Sequence, residues 1–432
     1  MIKYNKKGGE KRVLLQFTVN NYKSIKDTTT FSMATTSKDR GNSFKVKKYK
    51  LLQSAIVYGA NASGKSNFLK AIAFMRRVVL NRDKIILSTD RLPHYPFQLS
   101  TETEDSSSSF EMVFFIDEIK YRYGFELDNT TVYAEWLYAD ENGKESKLFY
   151  RDIDEDELYV NRIKFKEGLR LKVARNQLFL WKCDQEGGEI SASILKWFSR
   201  LNMIDGMEDG QYVNYAMKQM ENKQFKRELV ALVQTADIGI EDVLLEEEDI
   251  PRSVIEEMPL PTELKKQFLE SDSLKKVSLL TNHKKYDEDN NEIGTTTFEL
   301  DEEESRGTQK FFKMSAPILN TLREGKVLII DELDASLHPM LTKHLIKLFH
   351  NKKINRQNAQ LIFVTHDTNL LTPSIFRRDQ IWLTQKDKFG ATELYSLAQF
   401  KNVRKDEDFE KKYIQGKYGG VPYLQDFEIE GL

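Results

Sequence analysis

Residues 59–66 read Gly-Ala-Asn-Ala-Ser-Gly-Lys-Ser, between the apolar run 55–58 and the helix-like run 67–74. A strand, a Gly-rich loop ending in Gly-Lys-Ser and a helix, in that order, are typical of a phosphate-binding loop and not of an ordinary turn. Such a loop points backbone N–H groups at phosphates, and the helix adds the positive end of its dipole. We therefore expect nucleotide contacts from Gly59, Ala60, Asn61, Ala62, Ser63, Gly64, Lys65, Ser66 and Asn67.

Two side chains of this loop have specific predicted roles. Lys65 can reach the β- and γ-phosphates of a nucleoside triphosphate, and the Ser66 hydroxyl can ligate Mg²⁺. The loop therefore predicts both a triphosphate and a magnesium ion.

A second candidate site follows the apolar run 327–330 (Val-Leu-Ile-Ile), which is typical of a buried parallel strand. The run ends in Asp331 and Glu332, and the carboxyl end of such a strand faces the crevice where ligands bind. We expect Asp331 to hold Mg²⁺ and Glu332 to orient or deprotonate the attacking water. An exposed acidic turn would look the same in isolation, so this interpretation depends on the phosphate loop.

A third apolar run, 361–364 (Leu-Ile-Phe-Val), ends in Thr365-His366-Asp367. A lone histidine is usually structural. Here the histidine closes a core-type strand soon after the acidic one, which favours His366 as a sensor of the γ-phosphate.

Composition limits the class of protein. The chain has 432 residues, 40% of them hydrophobic and 31% charged, and its mean hydropathy is −0.55. No apolar run approaches the ~20 residues of a membrane span, and no signal-peptide pattern opens the chain. The single cysteine, Cys183, excludes an internal disulfide. We expect a cytoplasmic protein without a membrane partner.

Basic residues are concentrated in residues 1–50, although the net charge of the chain is only −2. Two interpretations stay open for this region. Lysines near the start fit a solubilising tail, whereas those just before the phosphate-loop strand could form a face for nucleic acid or an acidic partner. The first group is Lys3, Lys6 and Lys7; the second is Lys45, Lys47, Lys48 and Lys50.

Hydrophobic periodicity predicts an α/β architecture with additions. Residues 12–60 read as two or three strands, residues 110–160 as an antiparallel β-meander and residues 277–300 as a hairpin. Helical spacing marks residues 213–233 and 261–276. We predict four regions: an N-terminal lobe of a nucleotide-binding head (12–165), a helical insertion (166–276), a C-terminal lobe of the head (277–395) and a tail (396–432).

The order and spacing of these motifs resemble ABC-type ATPases, in the branch shared by SMC, RecF and the overcoming-lysogenization-defect (OLD) proteins. Residues 17–25 resemble the Asn-Phe-Arg-Ser-Phe strand that opens those proteins. Residues 304–310 resemble the signature motif in its Glu-Ser-x-Gly-Thr form, and 334–339 resemble the Ser-Leu-His-Pro D-loop. The resemblance covers most of residues 12–395, and it also touches 236–240 and 418–423.

The resemblance implies an ABC-type P-loop head with a mixed sheet, an antiparallel β subdomain and a helical insertion, and it implies ATP as the nucleotide. In such ATPases two heads enclose two nucleotides, so Ser305 and Gly307 would cap the γ-phosphate held by a partner head. The resemblance also implies nucleotide contacts from Lys23 and Ser336, and a magnesium-linked glutamine for which Gln98 is the candidate.

The head is followed only by residues 396–432, too few for the Toprim nuclease domain of OLD nucleases. The chain therefore resembles the stand-alone ATPases of bacterial anti-phage and abortive-infection systems, the groups called RloA, AbiLi and AriA. That resemblance implies a homo-oligomeric sensor or scaffold that controls a separately encoded effector, such as a Toprim nuclease. A DNA-binding repair or structural-maintenance ATPase is the alternative. A transporter head is a third option, against which the Leu-His D-loop and the large insertion argue.

Overall fold

A six-stranded sheet carries the three predicted site segments. Its strands are β5 (Ser54–Gly59), β11 (Leu201–Asp205), β15 (Val327–Asp331), β16 (Gln360–Val364), β17 (Ile381–Lys386) and β18 (Thr392–Ser396). Their order in the sheet is β11-β15-β16-β5-β17-β18, and all neighbouring strands are parallel except β17 and β18. Every residue of β5 and β16 is buried, as expected for parallel strands covered on both faces.

The structure is a computed structural model that describes residues 12–35, 41–205, 210–236, 239–265, 275–404 and 407–422. These residues form two compact units. The first consists of the described residues of Met1–Met207, Thr321–Ala335 and Thr342–Leu432, and the second of those of Glu208–Asn320 and Ser336–Leu341. The four predicted region boundaries stay predictions.

A seven-stranded antiparallel sheet completes the first unit together with a small two-stranded sheet. The strands are β1 (Arg12–Asn20), β2 (Thr29–Ser32), β3 (Ser43–Val46), β4 (Tyr49–Leu52), β6 (Ser108–Ile116), β7 (Ile119–Leu127), β8 (Val132–Asp140), β9 (Glu145–Asp152) and β10 (Glu157–Val160). The large sheet has the order β10-β9-β8-β7-β6-β1-β2, and β3 pairs with β4. The predicted meander over 110–160 is confirmed, while residues 12–60 contain five strands instead of two or three.

One buried side chain links strands that are far apart in sequence. The Gln360 amide accepts a hydrogen bond from Leu14 N at 2.7 Å and donates to Leu14 O at 3.0 Å and Leu52 O at 3.1 Å. The register of β1 against β6 shifts beside Leu14, which leaves its backbone groups in need of partners. Gln360, the first residue of β16, thus supplies hydrogen-bond partners to the backbone of Leu14 at the bulge in β1.

The helices of the chain lie between these strands and after them. The described α-helices are α1 (Lys65–Val79), α2 (Phe179–Gln185), α3 (Glu189–Ser199), α4 (Gly210–Met220), α5 (Lys223–Val233), α6 (Arg252–Glu257), α7 (Arg306–Glu324), α8 (Pro339–His350) and α9 (Phe409–Ile414). In the first unit, α1 contributes Phe68, Ile72 and Met75 to a large hydrophobic cluster. The helix that follows the phosphate loop is therefore anchored in the core.

The second unit combines helices with a three-stranded antiparallel sheet, β12 (Ile240–Asp249), β13 (Lys275–Tyr286) and β14 (Glu292–Glu299). The predicted hairpin over 277–300 is confirmed by β13 and β14. The helix predicted over 213–233 is divided into α4 and α5, because Asn222 caps α5 with its side chain. The helix predicted over 261–276 is wrong at its end, where Lys275 and Lys276 belong to β13; residues 266–274 lie outside the described ranges.

Candidate functional site

The loop between β5 and α1 is shaped by two glycines that admit no side chain. A Cβ at Gly59 would overlap the Thr384 and Ser63 hydroxyls, and one at Gly64 would overlap Thr392 Oγ1. Gly64 also has a φ of 106°, in the region that favours glycine. Thr384 and Thr392, on β17 and β18, therefore form the wall against which the loop folds.

Hydrogen bonds fix the loop to this wall. Ser63 Oγ and Thr384 Oγ1 are 2.6 Å apart, and Thr392 Oγ1 donates to Ser63 O at 3.0 Å. At the start of α1, Asn67 Nδ2 donates to Ser24 Oγ at 2.8 Å. The loop is thus held at three points, by Thr384 and Thr392, which no predicted motif contains, and by Ser24, which lies in the motif at 17–25.

Lys65 is buried at the centre of the loop, with 5% of its surface exposed. Its Nζ donates to the carbonyls of Gly59 at 2.8 Å and Ala60 at 2.9 Å. Burial lowers the pKa of Lys65, and the carboxylates of Asp331, Glu332 and Asp334 oppose that shift. The loop lysine and the acidic end of β15 therefore form one electrostatic group.

The acidic pair lies where the sequence places it. Asp331 ends β15, and its Oδ1 is buried without a hydrogen bond from the described residues. Glu332 follows with a φ of 54°, a backbone conformation that costs a non-glycine residue roughly 1–3 kcal/mol. Leu333 N donates to Val364 O at 3.2 Å and ties this strained turn to the end of β16.

His366 follows β16 on the same edge of the sheet. Its backbone N–H donates to Asp334 Oδ2 at 3.3 Å, and its side chain is exposed. Tyr58, the residue before the loop, donates its hydroxyl to Asp367 O at 2.7 Å. The histidine turn is thereby attached to both the acidic turn and the phosphate-loop strand.

These elements line one cavity of about 710 Å³, a volume within the usual range for small-molecule sites. It brings together most of the loop, Glu332 and His366, and it adds Lys386, which no motif indicated. Gly59 and Ala60 contribute the carbonyls that hold Lys65. The lining residues are Asn61, Ala62, Ser63, Gly64, Lys65, Ser66, Asn67, Glu332, His366 and Lys386.

Lys23 and Gln98 are not among these lining residues. Lys23 is half-buried, with its Nζ 5.5 Å from the centre of the Tyr95 ring, and burial lowers its pKa. Gln98 is exposed in the loop after Phe97. Their nucleotide and magnesium contacts stay predictions.

The signature motif is described within the second unit. Ser305 caps α7, because its Oγ accepts a hydrogen bond from Thr308 N at 3.1 Å. The preceding Glu304 accepts hydrogen bonds from the hydroxyl of Thr281 at 2.5 Å and from His283 Nε2 at 2.7 Å, both on β13. A Cβ at Gly307 would lie 3.6 Å from Ser336 O, so the predicted signature and D-loop serine adjoin.

Ser66 and Asp331 fit Mg²⁺. Ser66 lines the cavity. Asp331 is not among the lining residues, but its charge acts on Lys65, and its buried Oδ1 lacks a protein donor among the described residues. No group of three His, Cys, Asp or Glu residues suited to a metal occurs in the described part of the chain. A magnesium bound with phosphates needs only one or two protein ligands, so the pair Ser66 and Asp331 suffices.

The fold and the cavity define the class as a P-loop nucleotide-binding protein. Residues 54–372 match the family model described as "AAA domain, putative AbiEii toxin, Type IV TA system". The match spans more than half of the 432 residues, and the chain belongs to this family. The predicted ATPase activity and ATP binding are confirmed at this level.

Three solved structures match this chain over most of its length. An SMC head bound to the C-terminal winged-helix domain of ScpA is 13% identical, with 89% of this chain and 97% of that chain covered and a TM-score of 0.44. The SMC head domain from Thermotoga maritima is 14% identical, with 89% and 98% covered and a TM-score of 0.40. The recombination mediator RecF is 11% identical, with 89% and 99% covered and a TM-score of 0.37. At these TM-scores the matches carry no argument about fold or function.

The curated proteins contain no match to this chain. Among the described residues, no helix combines the length and the apolar character needed to cross a membrane.

Proposed function

We propose that this ATPase is a nucleotide-dependent switch that hydrolyses ATP with Mg²⁺ between two heads and controls a separately encoded effector in bacterial anti-phage defence. The observation that carries the proposal is the convergence of Lys65, Glu332 and His366 on one cavity although they come from distant parts of the sequence. Such a set provides phosphate binding, water activation and γ-phosphate sensing in one place.

Each group has a distinct part in hydrolysis. The loop N–H groups and Lys65 bind the phosphates. Ser66 and Asp331 would hold a magnesium ion, which would supply positive charge beside the phosphates. Glu332, which lines the cavity, orients the attacking water. His366 contacts the γ-phosphate and reports whether it is present.

A second copy would complete the site. Ser305 and Gly307 at the start of α7 offer a hydroxyl and N–H groups at a helix N-terminus, which favour an anion. In the proposed dimer this helix start caps the γ-phosphate of the partner head, so that ATP joins the heads and its hydrolysis releases them. The family description supports a defence role, since it names a toxin of a type IV toxin–antitoxin system. We propose a Toprim-type nuclease as the effector.

The test uses Glu332→Gln and Lys65→Ala. We expect Glu332→Gln to bind ATP, to hydrolyse it at least about a hundredfold more slowly and to run as a dimer with ATP in light scattering, because the water is no longer activated. Lys65→Ala should lose nucleotide binding and stay monomeric. Glu118→Gln and Lys70→Ala, both exposed, are matched controls and should behave like the wild type. A Glu332→Gln protein that hydrolyses ATP at the wild-type rate would falsify the role of Glu332.

One observation favours the alternative of a DNA-binding repair or maintenance ATPase. A cavity of about 350 Å³ is lined by Lys47, Lys48 and Lys120, and Lys45 lies directly across from Lys50 in the β3–β4 hairpin. Acidic groups, Asp140 and Glu141, share the cavity and weaken its positive potential. Salt-sensitive binding of duplex DNA that is lost in a Lys47→Ala, Lys48→Ala protein would favour the alternative. Co-purification of a second protein without such binding would favour the defence switch.

A further inference from the structure

The C-terminal segment 407–422 is built into the first unit. Phe409 and Tyr413 of α9 and Tyr418 after it are all buried, although the sequence around them is polar. The Tyr413 hydroxyl donates to Gly420 O at 2.9 Å, and burial raises the pKa of Tyr413 to about 12. The segment is therefore folded back on itself as a fixed structure.

This segment contacts the strand that leads into the phosphate loop. The rings of Tyr413 and Tyr58 have their centres 5.8 Å apart. A Cβ at Gly420 would lie 3.2 Å from Thr384 O and 3.8 Å from Gly59 Cα. The backbone at Gly420 thus lies directly against the first glycine of the loop and against the wall residue Thr384.

The same segment contacts the turn that carries His366. Thr368 Oγ1 donates to Glu410 Oε1 at 2.7 Å. Tyr58, which packs on Tyr413, donates its hydroxyl to the carbonyl of Asp367. Two consecutive residues after His366 are therefore held by α9, one directly and one through Tyr58.

We propose that α9 positions the His366 turn for catalysis, with Glu410 acting as a positioning residue through Thr368. The inference rests on the proposed role of His366. The His366 ring is exposed in the cavity, so its placement depends on how its backbone turn is held. A displacement of about 1 Å at a reacting group can reduce a rate by about two orders of magnitude. The positioning segment lies beyond residue 372, where the match to the family ends.

The experiment compares Thr368→Val, Glu410→Ala and their double variant in the full chain. Valine keeps the shape of threonine and removes the donor. We expect each single variant to lower kcat for ATP about tenfold, with less than a twofold change in KM and in the affinity for a non-hydrolysable ATP analogue, because the loop and Lys65 are untouched. The double variant should lose no more than either single variant, since one contact is removed in all three.

Two controls separate positioning from general destabilisation. Thr368→Ser keeps the hydroxyl and should restore kcat, and Lys411→Ala, exposed on the same helix, should match the wild type. An unchanged kcat in Thr368→Val, or a loss that serine does not restore, would overturn the inference. His366→Ala distinguishes the two proposals: if it lowers kcat and Thr368→Val does not, only the positioning role fails. If His366→Ala leaves kcat unchanged, the sensor role of His366 and the positioning role of α9 both fail.

Discussion

At the scale of single residues, the phosphate loop depends on the absence of a side chain at Gly64 as well as on the side chain of Lys65. Gly64 combines a φ of 106° with close contact to Thr392, whereas a Cβ added at Gly41 would have no neighbouring atom within 4 Å. The Lys65 side chain is held in position because its Nζ donates hydrogen bonds to the loop carbonyls of Gly59 and Ala60.

Gly64→Ala tests this dependence. We expect nucleotide affinity to fall at least about tenfold, because the new methyl group forces the loop away from Thr392 and disturbs the N–H groups that face the phosphates. Isothermal titration with ATP measures the effect. Gly41→Ala is the matched control and should bind ATP normally. Normal binding by Gly64→Ala would show that the loop tolerates the displacement.

The residues at this site were predictable where a motif ends an apolar strand. Lys65, Glu332 and His366 each follow such a run, and the structure brings them together. Thr384, Thr392 and Lys386 could not be found in this way, because they belong to β17 and β18, whose places in the sheet are decided by tertiary packing. Gln360 reads as an ordinary polar residue before a strand, and its role depends on a bulge in β1.

At the scale of elements, α7 begins at the serine that the signature motif supplies. The Ser305 side chain both caps the helix and, in the proposed dimer, faces the partner's γ-phosphate. The two tasks can be separated, because aspartate caps a helix about as well as serine but carries a negative charge.

Ser305→Asp should therefore keep the free energy of unfolding close to the wild-type value and abolish ATP-dependent dimerisation. Ser305→Ala should lower the free energy of unfolding by about 1 kcal/mol. Urea unfolding and light scattering with ATP measure the two effects. If Ser305→Asp dimerised at the same ATP concentration as the wild type, this would contradict a role of the helix start at the γ-phosphate.

A second element-scale prediction concerns the contact between the end of α8 and the start of β5. His350 Nε2 lies 2.6 Å from Ser54 Oγ, and burial, together with the charge of Arg377, lowers the pKa of His350 to about 4. Above pH 6.5 the histidine is neutral in both states. Below it the unfolded chain binds a proton that the folded chain excludes, so stability falls between pH 6.5 and about 4, by roughly 3 kcal/mol at most.

Urea midpoints across that pH range, for the wild type and His350→Gln, isolate this contribution. We expect the variant to lose less stability on acidification, since glutamine does not titrate. Parallel curves for the two proteins would show that His350 does not carry the acid sensitivity.

The parallel strands were predictable as elements because they are continuous apolar runs. Two strands within the predicted helical insertion were missed for different reasons. β11 is too short to stand out in the sequence, and it is a strand because it pairs with β15. β12 carries a run of acidic residues on an exposed strand, and its composition resembles a loop.

At the scale of the whole molecule, ATP should act as a stabilising ligand. A nucleotide that binds only the folded state at about a hundred times its Kd adds about 2.7 kcal/mol to the free energy of unfolding. We expect a non-hydrolysable ATP analogue with Mg²⁺ to raise the urea midpoint of the wild type and to leave that of Lys65→Ala unchanged. An equal shift in both proteins would place the nucleotide at a different site.

The division of the chain into two units was only partly accessible to sequence reasoning. Apolar periodicity identifies the strands and helices of each unit, but it does not by itself reveal that the described residues of Thr321–Ala335 and Thr342–Leu432 join the first unit. That assignment depends on pairings such as β11 with β15, which connect residues more than a hundred positions apart.

The sheet order has a consequence for biosynthesis. β5, β15 and β16 are neighbours in space, yet some 270 residues separate the first strand from the second. A nascent chain that has emerged only as far as residue 300 has the phosphate loop but neither the acidic turn nor the histidine turn. Since such distant pairings form slowly, newly made protein should acquire hydrolytic competence only after the acidic turn and the histidine turn have also left the ribosome.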